Sequence, residues 1–457
     1  MIIDTKSKEK INKMLILSIF ILIVLSVFSN QLNQVRLVLY AVCILVGIFS
    51  PRYTFVIIIL TYTNFLSMFN ELEFSGGITD LGLIAGVSCF FCETARYLKE
   101  KEYFVQKKII YNGAYISLLL LLLACSIVVA NIRFGQPIVR GIYAFRNLGI
   151  LLYVFPFIRH LKRNKEEKIV IMEYISNLMI FSIIIIILQQ LFINKIEFLK
   201  LSQVTRLGEP RILLHSVSPL YCLVFAYNLY RMIVYKEVSI RRILILLVIG
   251  VAVFIISQTR IFMASILGIA FFEILVFSKI KIINKIILGI IGIFLFGILL
   301  TTNLMGNILG DLFKDVIEDK DSYIRNEAIQ YYMSLIDEEF FLFGGGITNE
   351  KYQQSPIVQG SEEGYFLVDI GIFGVFFEYG ILGILVILIL TKDIFRQSLK
   401  IENALIANLA KIFCIIIIIT AYTVSPLSSS MWVLYVMIYA FVKSEKKKQE
   451  RNIEKYV

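Results

Sequence analysis

Polar sequence is scarce in this chain of 457 residues, in which only 17% of the residues are charged and histidine occurs twice. Hydrophobic residues make up 58% of the chain, and its mean hydropathy is +0.81. A water-soluble protein needs more polar surface than this to cover its core. The composition therefore excludes a soluble globular protein and predicts an α-helical membrane protein.

The six cysteines give no sign of a disulfide framework, because all of them lie inside apolar runs, where a thiol acts as a small hydrophobic group. Cys89 and Cys92 have the spacing of a metal-binding knuckle, but no second Cys or His pair accompanies them. We expect no metal and no cofactor. The net charge of +11 does not predict nucleic-acid binding, because the basic residues are spread over short loops.

Apolar stretches of helical length recur along the chain and predict about fourteen membrane-spanning helices. They fall near residues 14–29, 35–49, 52–69, 80–96, 109–130, 141–158, 169–193, 212–230, 243–257, 261–278, 286–302, 366–390, 412–424 and 430–442. The predicted fold is an all-α polytopic membrane protein, a single integral membrane domain over residues 1–457. One long loop, residues 303–369, is expected outside the membrane.

The basic residues alternate between loops and so predict an orientation. With the N-terminus inside, the predicted inner segments hold most of the 45 Lys and Arg, as the positive-inside rule requires. The basic N-terminus has no small-residue cleavage site after it, so we expect it to be retained as the first helix. Trp432 falls at a predicted outer helix end, as is typical of an interfacial aromatic residue. Both termini are expected in the cytoplasm.

The long loop at 303–369 carries thirteen acidic residues against four basic ones. Asp321 and Ser322 can cap a helix, and Gly344 to Gly346 would end it. The apolar positions of this helix are Ile324, Ala328, Tyr331 and Leu335. Their spacing predicts an amphipathic helix on or between the membrane helices. Long ordered loops are usually functional.

Arginine is the minority of the basic residues in the predicted inner segments but the majority in the outer ones. The outer arginines are Arg36, Arg133, Arg140, Arg206, Arg211, Arg260 and Arg325. Outer arginine contributes nothing to topology, whereas a guanidinium binds phosphate through two parallel hydrogen bonds. We therefore predict a diphosphate site at the outer face. Arg36 and Arg133 are better explained as interfacial residues that reach lipid headgroups.

Two of the arginine-bearing turns have alternative interpretations. Arg260 follows Ser257, Gln258 and Thr259 between two apolar helices, where a charge must reach the interface or face a polar cavity. Arg206 and Arg211 flank Glu209 in a segment with a glycine and a proline. That segment is either a loop that cups an anion or a simple polar turn.

The order of these elements resembles the O-antigen polymerase and O-antigen ligase family over about residues 130–390. The resemblance is carried by a helix between Arg140 and Arg159, Ser257-x-Thr259-Arg260, the long loop with Arg325, Phe343-Gly-Gly-Gly346, Asp369-Ile-Gly-Ile-Phe-Gly374 and Tyr379-Gly-Ile-Leu-Gly383. It implies a metal-independent inverting glycosyltransferase with a class C-like membrane fold, which takes glycan from a polyprenyl diphosphate carrier. By position, Arg206 or Arg211, Arg260 and Arg325 become diphosphate-binding candidates beside Arg140.

Ligases of this family carry a histidine in the long loop as the presumed base, and this chain has none there. Its two histidines are His160, in a predicted cytoplasmic loop, and His215, at the outer end of a predicted helix. A carboxylate can instead take the proton of an acceptor hydroxyl when its surroundings raise its pKa. The candidate bases are Glu363, Asp369, Glu209 and His215. Each of these residues can alternatively be a solvated loop or helix-end residue without a catalytic role.

The sequence thus predicts a polysaccharide repeat-unit polymerase of the bacterial cytoplasmic membrane, acting on capsule, exopolysaccharide or O-antigen. Its expected partners are polyprenyl-diphosphate-linked glycans, membrane lipids, and the flippase and chain-length regulator of the same pathway, with no nucleic acid. A ligase-type transferase is one alternative. A lipid-linked oligosaccharide flippase would need a deep cationic cavity and has no use for the long loop. A docking protein would use the acidic loop but not the arginines.

Overall fold

A computed structural model describes residues 5–28, 33–63, 79–99, 107–191, 203–206, 209–212, 218–257, 260–277, 320–336, 340–349, 352, 357–358 and 360–445. These residues are helical apart from turns and one short β-hairpin. The prediction of a helical protein is confirmed, and the hairpin is a feature that it did not include.

The helices of the first half are α1 (Thr5–Phe28), α2 (Asn33–Phe49), α3 (Pro51–Tyr62), α4 (Thr79–Lys99), α5 (Lys107–Phe134), α6 (Ile138–Phe145), a 3-10 helix (Arg146–Tyr153), α7 (Val154–Arg163) and α8 (Glu167–Leu191). The hairpin strands are β1 (Gln203–Arg206) and β2 (Glu209–Ile212). Then come α9 (Ser218–Val234), α10 (Ile240–Val251), a π-helix (Ala252–Ser257) and α11 (Arg260–Phe277).

The second half begins with α12 (Lys320–Ser334), α13 (Phe340–Phe343) and two 3-10 turns (Ser361–Glu363 and Leu367–Ile370). It ends with α14 (Ile372–Ser398), α15 (Ala404–Thr420) and α16 (Ser429–Lys443). Local sequence explains several helix starts. The Ser50 hydroxyl caps α3 ahead of Pro51, and the Ser239 hydroxyl accepts from the Arg242 N–H at 3.3 Å to cap α10.

Five helical segments among the described residues are long and apolar enough to cross a membrane: Thr79–Lys99, Ile116–Phe134, Ile138–Arg163, Glu167–Leu191 and Ile372–Ser398. Shorter apolar helices are Val38–Phe49, Ile261–Phe277, Ala404–Thr420 and Ser430–Lys443. The chain therefore has the helices of a membrane protein. The number fourteen stays a prediction, and the span expected near 286–302 lies outside the described residues.

Ion pairs gather at one end of the helix bundle, which we call the paired end. Here α1, α3, α8 and α10 begin, while α4, α7, α9 and α16 end. The pairs are Lys10–Glu167, Arg52–Glu167, Arg96–Glu93, Arg159–Glu93, Lys168–Glu445, Lys443–Asp393, Arg231–Glu173, Arg241–Glu173 and Arg242–Glu173. Their cations all come from segments or helix ends that the charge pattern assigns to one side. Which side faces the cytoplasm remains a prediction.

The amphipathic helix α12 packs at the opposite end of the bundle, which we call the loop end. Its buried residues are Ala328 and Tyr332, whereas Ile324 is 50% exposed, so the buried face is rotated from the predicted one. Ala328 and Tyr332 form an apolar cluster with Val358, Ile370 and Phe377, which we call the loop cluster. The long loop thus folds back onto α14.

Two details of the sequence prediction are corrected. Gly344 to Gly346 do not end α12, which stops at Ser334; they follow the separate short helix α13. Trp432 is only 1% exposed, and its Nε1 donates to the Leu427 carbonyl at 2.7 Å, so it packs inside the protein rather than at its surface.

Candidate functional site

Three consecutive glycines lie between α5 and α14 at the loop end. Gly345 N–H donates to the Phe377 carbonyl at 2.7 Å, and Gly346 N–H donates to the Glu378 carbonyl at 3.1 Å. Gly380 has φ +64° and ψ −162°, which interrupts the helical backbone of α14. A break of this kind frees the carbonyls of the preceding turn. The glycine segment therefore satisfies the carbonyls that the kink in α14 leaves without helical donors.

The first glycine has no room for a side chain. Gly344 has φ +71°, and a Cβ atom there would lie 2.5 Å from the backbone nitrogens of both Tyr379 and Gly380. Only glycine adopts this conformation and permits such a close approach without strain. At the Phe343-Gly-Gly-Gly346 motif, the backbone of the loop thus crosses the kink of α14 in direct contact with it. We call this segment, Gly344 to Gly346, the glycine crossing.

The chain after the glycines is anchored on the connection between α5 and α6. The Gln136 side chain is 1% exposed, donates to the Ile347 carbonyl at 3.0 Å and accepts from the Asn349 N–H at 2.7 Å. Asn349 Nδ2 donates to the Arg140 carbonyl at 3.2 Å. The Ser126 hydroxyl accepts from the Ile347 N–H at 2.9 Å. These bonds fix the loop beside the first turn of α6.

Two of the predicted substrate-binding arginines lie at this end. Arg140 is on the first turn of α6 with an exposed side chain. Arg325 is on α12; its Nε donates to the Asp369 carbonyl at 3.0 Å, and its guanidinium carbon is 5.9 Å from the centroid of the Tyr422 ring. Within the described parts of the chain, neither guanidinium pairs with a carboxylate. Among the described residues, no carboxylate therefore competes with an anionic ligand for these two cations.

Arg133 also belongs to this region, although its sequence position favoured a headgroup contact. Its guanidinium carbon lies 3.3 Å from the centroid of the Phe340 ring, a cation–π contact. Phe340 in turn lies next to Phe134 and Phe377, with ring centroids 6.3 and 6.2 Å away. The loop cluster therefore has cationic side chains on its α5 and α12 sides.

Arg146 behaves differently, since it is part of an internal ion pair. Its Nε lies 2.7 Å from Asp80 Oδ1 at the start of α4, and its Nη1 donates to the Tyr143 carbonyl at 2.6 Å. The next residue, Asn147, accepts from Thr79 at 3.0 Å. These contacts hold the 3-10 segment, a conformation that often marks a functional or strained part of a helix.

The other predicted arginines form a second group around the hairpin. The polar turn is a two-stranded antiparallel hairpin. In its backbone register, Arg206 lies opposite Glu209 and Arg211 lies opposite Val204. Strand β2 contacts the π-helix Ala252–Ser257, and Arg260 begins α11 shortly after it. The structure thus brings these three arginines and Glu209 to neighbouring elements. His215 lies outside the described residues.

Helix α15 lies against both groups. Tyr422, beneath Arg325, follows the end of α15, and Ile419 in its last turn is 3.4 Å from the Cβ position of Gly268. Gly268 is on α11, about two turns after Arg260. The helix that begins with Arg260 therefore packs against the end of α15, and Arg325 contacts Tyr422 just after that end.

Two of the predicted carboxylates have exposed side chains. Glu363 and Asp369 are exposed, on the two 3-10 turns that lead into α14. Burial, followed by the charges of Tyr331, Glu378 and Asp369, raises the pKa of the Tyr332 phenol. Tyr332 thus lies close to two carboxylates, one of which the sequence analysis did not consider.

That overlooked carboxylate is Glu378, inside the spanning segment Ile372–Ser398. The available signal was an acidic residue in the aromatic run from Phe376 to Tyr379, because an ionisable residue within a membrane helix is a functional candidate by default. The sequence analysis placed its candidate bases in the two predicted outer loops and at a helix end, and so did not include Glu378.

No protein-family model matches the chain, and no curated protein matches it. The resemblance of its sequence motifs to the O-antigen polymerase and ligase family is therefore an expectation about this chain and its function.

Proposed function

We propose that this protein is a polysaccharide polymerase that joins polyprenyl-diphosphate-linked oligosaccharide repeat units at the outer face of the cytoplasmic membrane. The observation that carries the proposal is the pair of guanidinium groups at Arg140 and Arg325, which have no carboxylate partner among the described residues. At the paired end, by contrast, six arginines contact carboxylates. Unpaired guanidinium groups beside membrane helices suit a lipid-linked diphosphate.

The proposed reaction gives the cations a catalytic task. As the bond between the sugar and the diphosphate breaks, negative charge accumulates on the departing diphosphate. Fixed guanidinium groups in a site with little water stabilise such charge better than water does, because they need no reorganisation. Arg140 and Arg325 would act on the diphosphate, with Arg206, Arg211 and Arg260 beside a second carrier lipid.

The folded loop also supports this proposal. Transfer between two lipid-linked glycans needs a surface next to the membrane that holds both and excludes water. The loop cluster joins α12 to the beginning of α14, directly beside apolar helices that can hold polyprenyl tails. A flippase has no need for such a covered surface at one end.

Deleting the gene distinguishes this function from its rivals through the lipid intermediates that remain. A polymerase deletion should accumulate single repeat units on polyprenyl diphosphate at the outer face, while long chains disappear. The measurement is chain length in the extracted lipid-linked fraction, with sidedness tested by an impermeant sugar-oxidising reagent.

Each rival predicts another result. Loss of a flippase would leave the single units inaccessible from outside. Loss of a ligase would leave long chains on the carrier, and loss of a docking protein would leave chain synthesis running. Long carrier-linked chains in the deletion strain would therefore contradict the proposal.

A further inference from the structure

Glu378 differs from the other acids of the spanning helices in having no side-chain partner among the described residues. It is partly exposed, although its neighbours Phe377 and Tyr379 are only 1% and 3% exposed. Among the residues that the structure describes, its carboxylate makes no hydrogen bond or ion pair. By comparison, Glu173 contacts three arginines, and Glu273 accepts from Asn408 Nδ2. An unpaired acid in an apolar helix is costly, so its retention needs a functional reason.

The backbone holds Glu378 firmly in place. Its carbonyl accepts from the Gly346 N–H at 3.1 Å and from the Ser126 hydroxyl at 3.3 Å. The left-handed backbone of Gly380 follows two residues later. Discontinuous membrane helices of this kind are tolerated where they line a cavity. The glycine crossing therefore fixes the turn from which this partly exposed carboxylate projects.

Glu378 and Arg325 belong to two helices, α14 and α12, that pack together in the loop cluster. Tyr332 packs on Phe377 with ring centroids 5.0 Å apart, and the charge of Glu378 helps to raise the pKa of its phenol. Arg325 is seven residues before Tyr332 on α12, which is roughly 10 Å along the helix axis. Helix α12 thus brings a cation and the tyrosine that packs on Phe377 to the end of α14 that carries Glu378.

We propose that Glu378 is the general base of the glycosyl transfer, a role that rests on the proposed function. The acceptor hydroxyl oxygen forms a bond to the anomeric carbon of the donor sugar as its proton passes to the Glu378 carboxylate. The bond from that carbon to the diphosphate oxygen breaks, and its electron pair leaves with polyprenyl diphosphate. The anomeric configuration inverts. Glu363, Asp369 and Glu209 are then not needed as the base.

The test uses the full-length protein in phospholipid vesicles with the lipid-linked repeat unit extracted from the deletion strain. Glu378→Gln should lower kcat by about 10²–10⁴-fold with little change in KM, because it removes proton transfer but keeps the side-chain shape. The wild-type kcat should fall at low pH, where the base is protonated, and this limb should be missing in the variant. Glu378→Asp should be intermediate, because it keeps the base but retracts it.

Glu273→Gln is the matched control, since it is also an acid in an apolar helix but has a partner. Its kcat should stay near wild type. Equal kcat values for Glu378→Gln and the wild type would overturn the role of Glu378 while leaving the polymerase proposal intact. Wild-type protein that makes no polymer from this substrate would instead overturn the proposed function, and the base with it.

Discussion

The two ends of the helix bundle differ in whether their charged side chains form ion pairs. At the paired end, Glu173 is fully buried and lies 3.1 Å from Arg231, 2.7 Å from Arg241 and 2.9 Å from Arg242. At the loop end, Arg325 lies against a carbonyl and an aromatic ring, without a carboxylate among the described residues. Glu378 there is similarly unpaired.

This difference separates charges that hold the fold from charges available for chemistry. A buried carboxylate surrounded by cations is satisfied within the protein. Removing one partner therefore leaves the remaining buried charges uncompensated. A cation that has no carboxylate partner can be altered without leaving a buried charge unpaired, and it can bind an external anion. Arg146 and Asp80 show that the loop end also contains structural pairs, so the distinction belongs to individual residues.

The largest effect on stability is expected at the paired end. Glu173→Leu leaves three guanidinium groups without their shared carboxylate, and we expect a loss of about 3–5 kcal/mol in the free energy of unfolding. The measurement is the thermal unfolding of the protein in detergent. Glu166→Gln, at an exposed neighbouring position, should leave the unfolding temperature unchanged. Similar unfolding temperatures for both variants would mean that the Glu173 contacts contribute little to the fold.

A smaller effect is expected at the glycine crossing. Gly344→Ala places a Cβ atom 2.5 Å from two backbone nitrogens at positive φ, which should cost about 1–3 kcal/mol. We expect faster proteolysis of the loop and reduced polymer formation. Gly250→Ala in α10 meets no atom within 4 Å and should be neutral or slightly stabilising. If Gly344→Ala had normal proteolysis and activity, the crossing would not be needed to hold the loop.

The smallest effect on stability is expected at Arg325, where activity should nevertheless fall. Arg325→Lys keeps the charge but loses the planar fork, so we expect kcat to drop by about 10²-fold, while the free energy of unfolding changes by less than about 0.5 kcal/mol. Arg396→Lys is the control, because Arg396 is an exposed guanidinium at the paired end. Polymer assays and thermal unfolding on the same preparations separate the two effects. Wild-type polymerisation by Arg325→Lys would remove that arginine from the proposed site.

Local composition was enough to predict much of the fold. Apolar runs of helical length need only a hydrophobic environment and local hydrogen bonds to become helices, so their existence can be predicted residue by residue. The amphipathic helix α12 was predicted in the same way from its spacing, although Tyr332 rather than Ile324 is buried. The predicted end of α12 was wrong, because the three glycines pack against α14 and do not terminate α12.

Which charges are paired was decided mostly by tertiary structure, because most of the partners are far apart in the chain. Lys168 and Glu445 are separated by 277 positions, and nothing in either local sequence indicates the other. The same holds for Glu378, whose backbone is held by a glycine crossing from a distant loop. The sequence by itself determined that the chain is helical and suited to a membrane. The packing of the helices determined which acids and cations are satisfied internally, because pairing depends on distance in space and not on order along the chain.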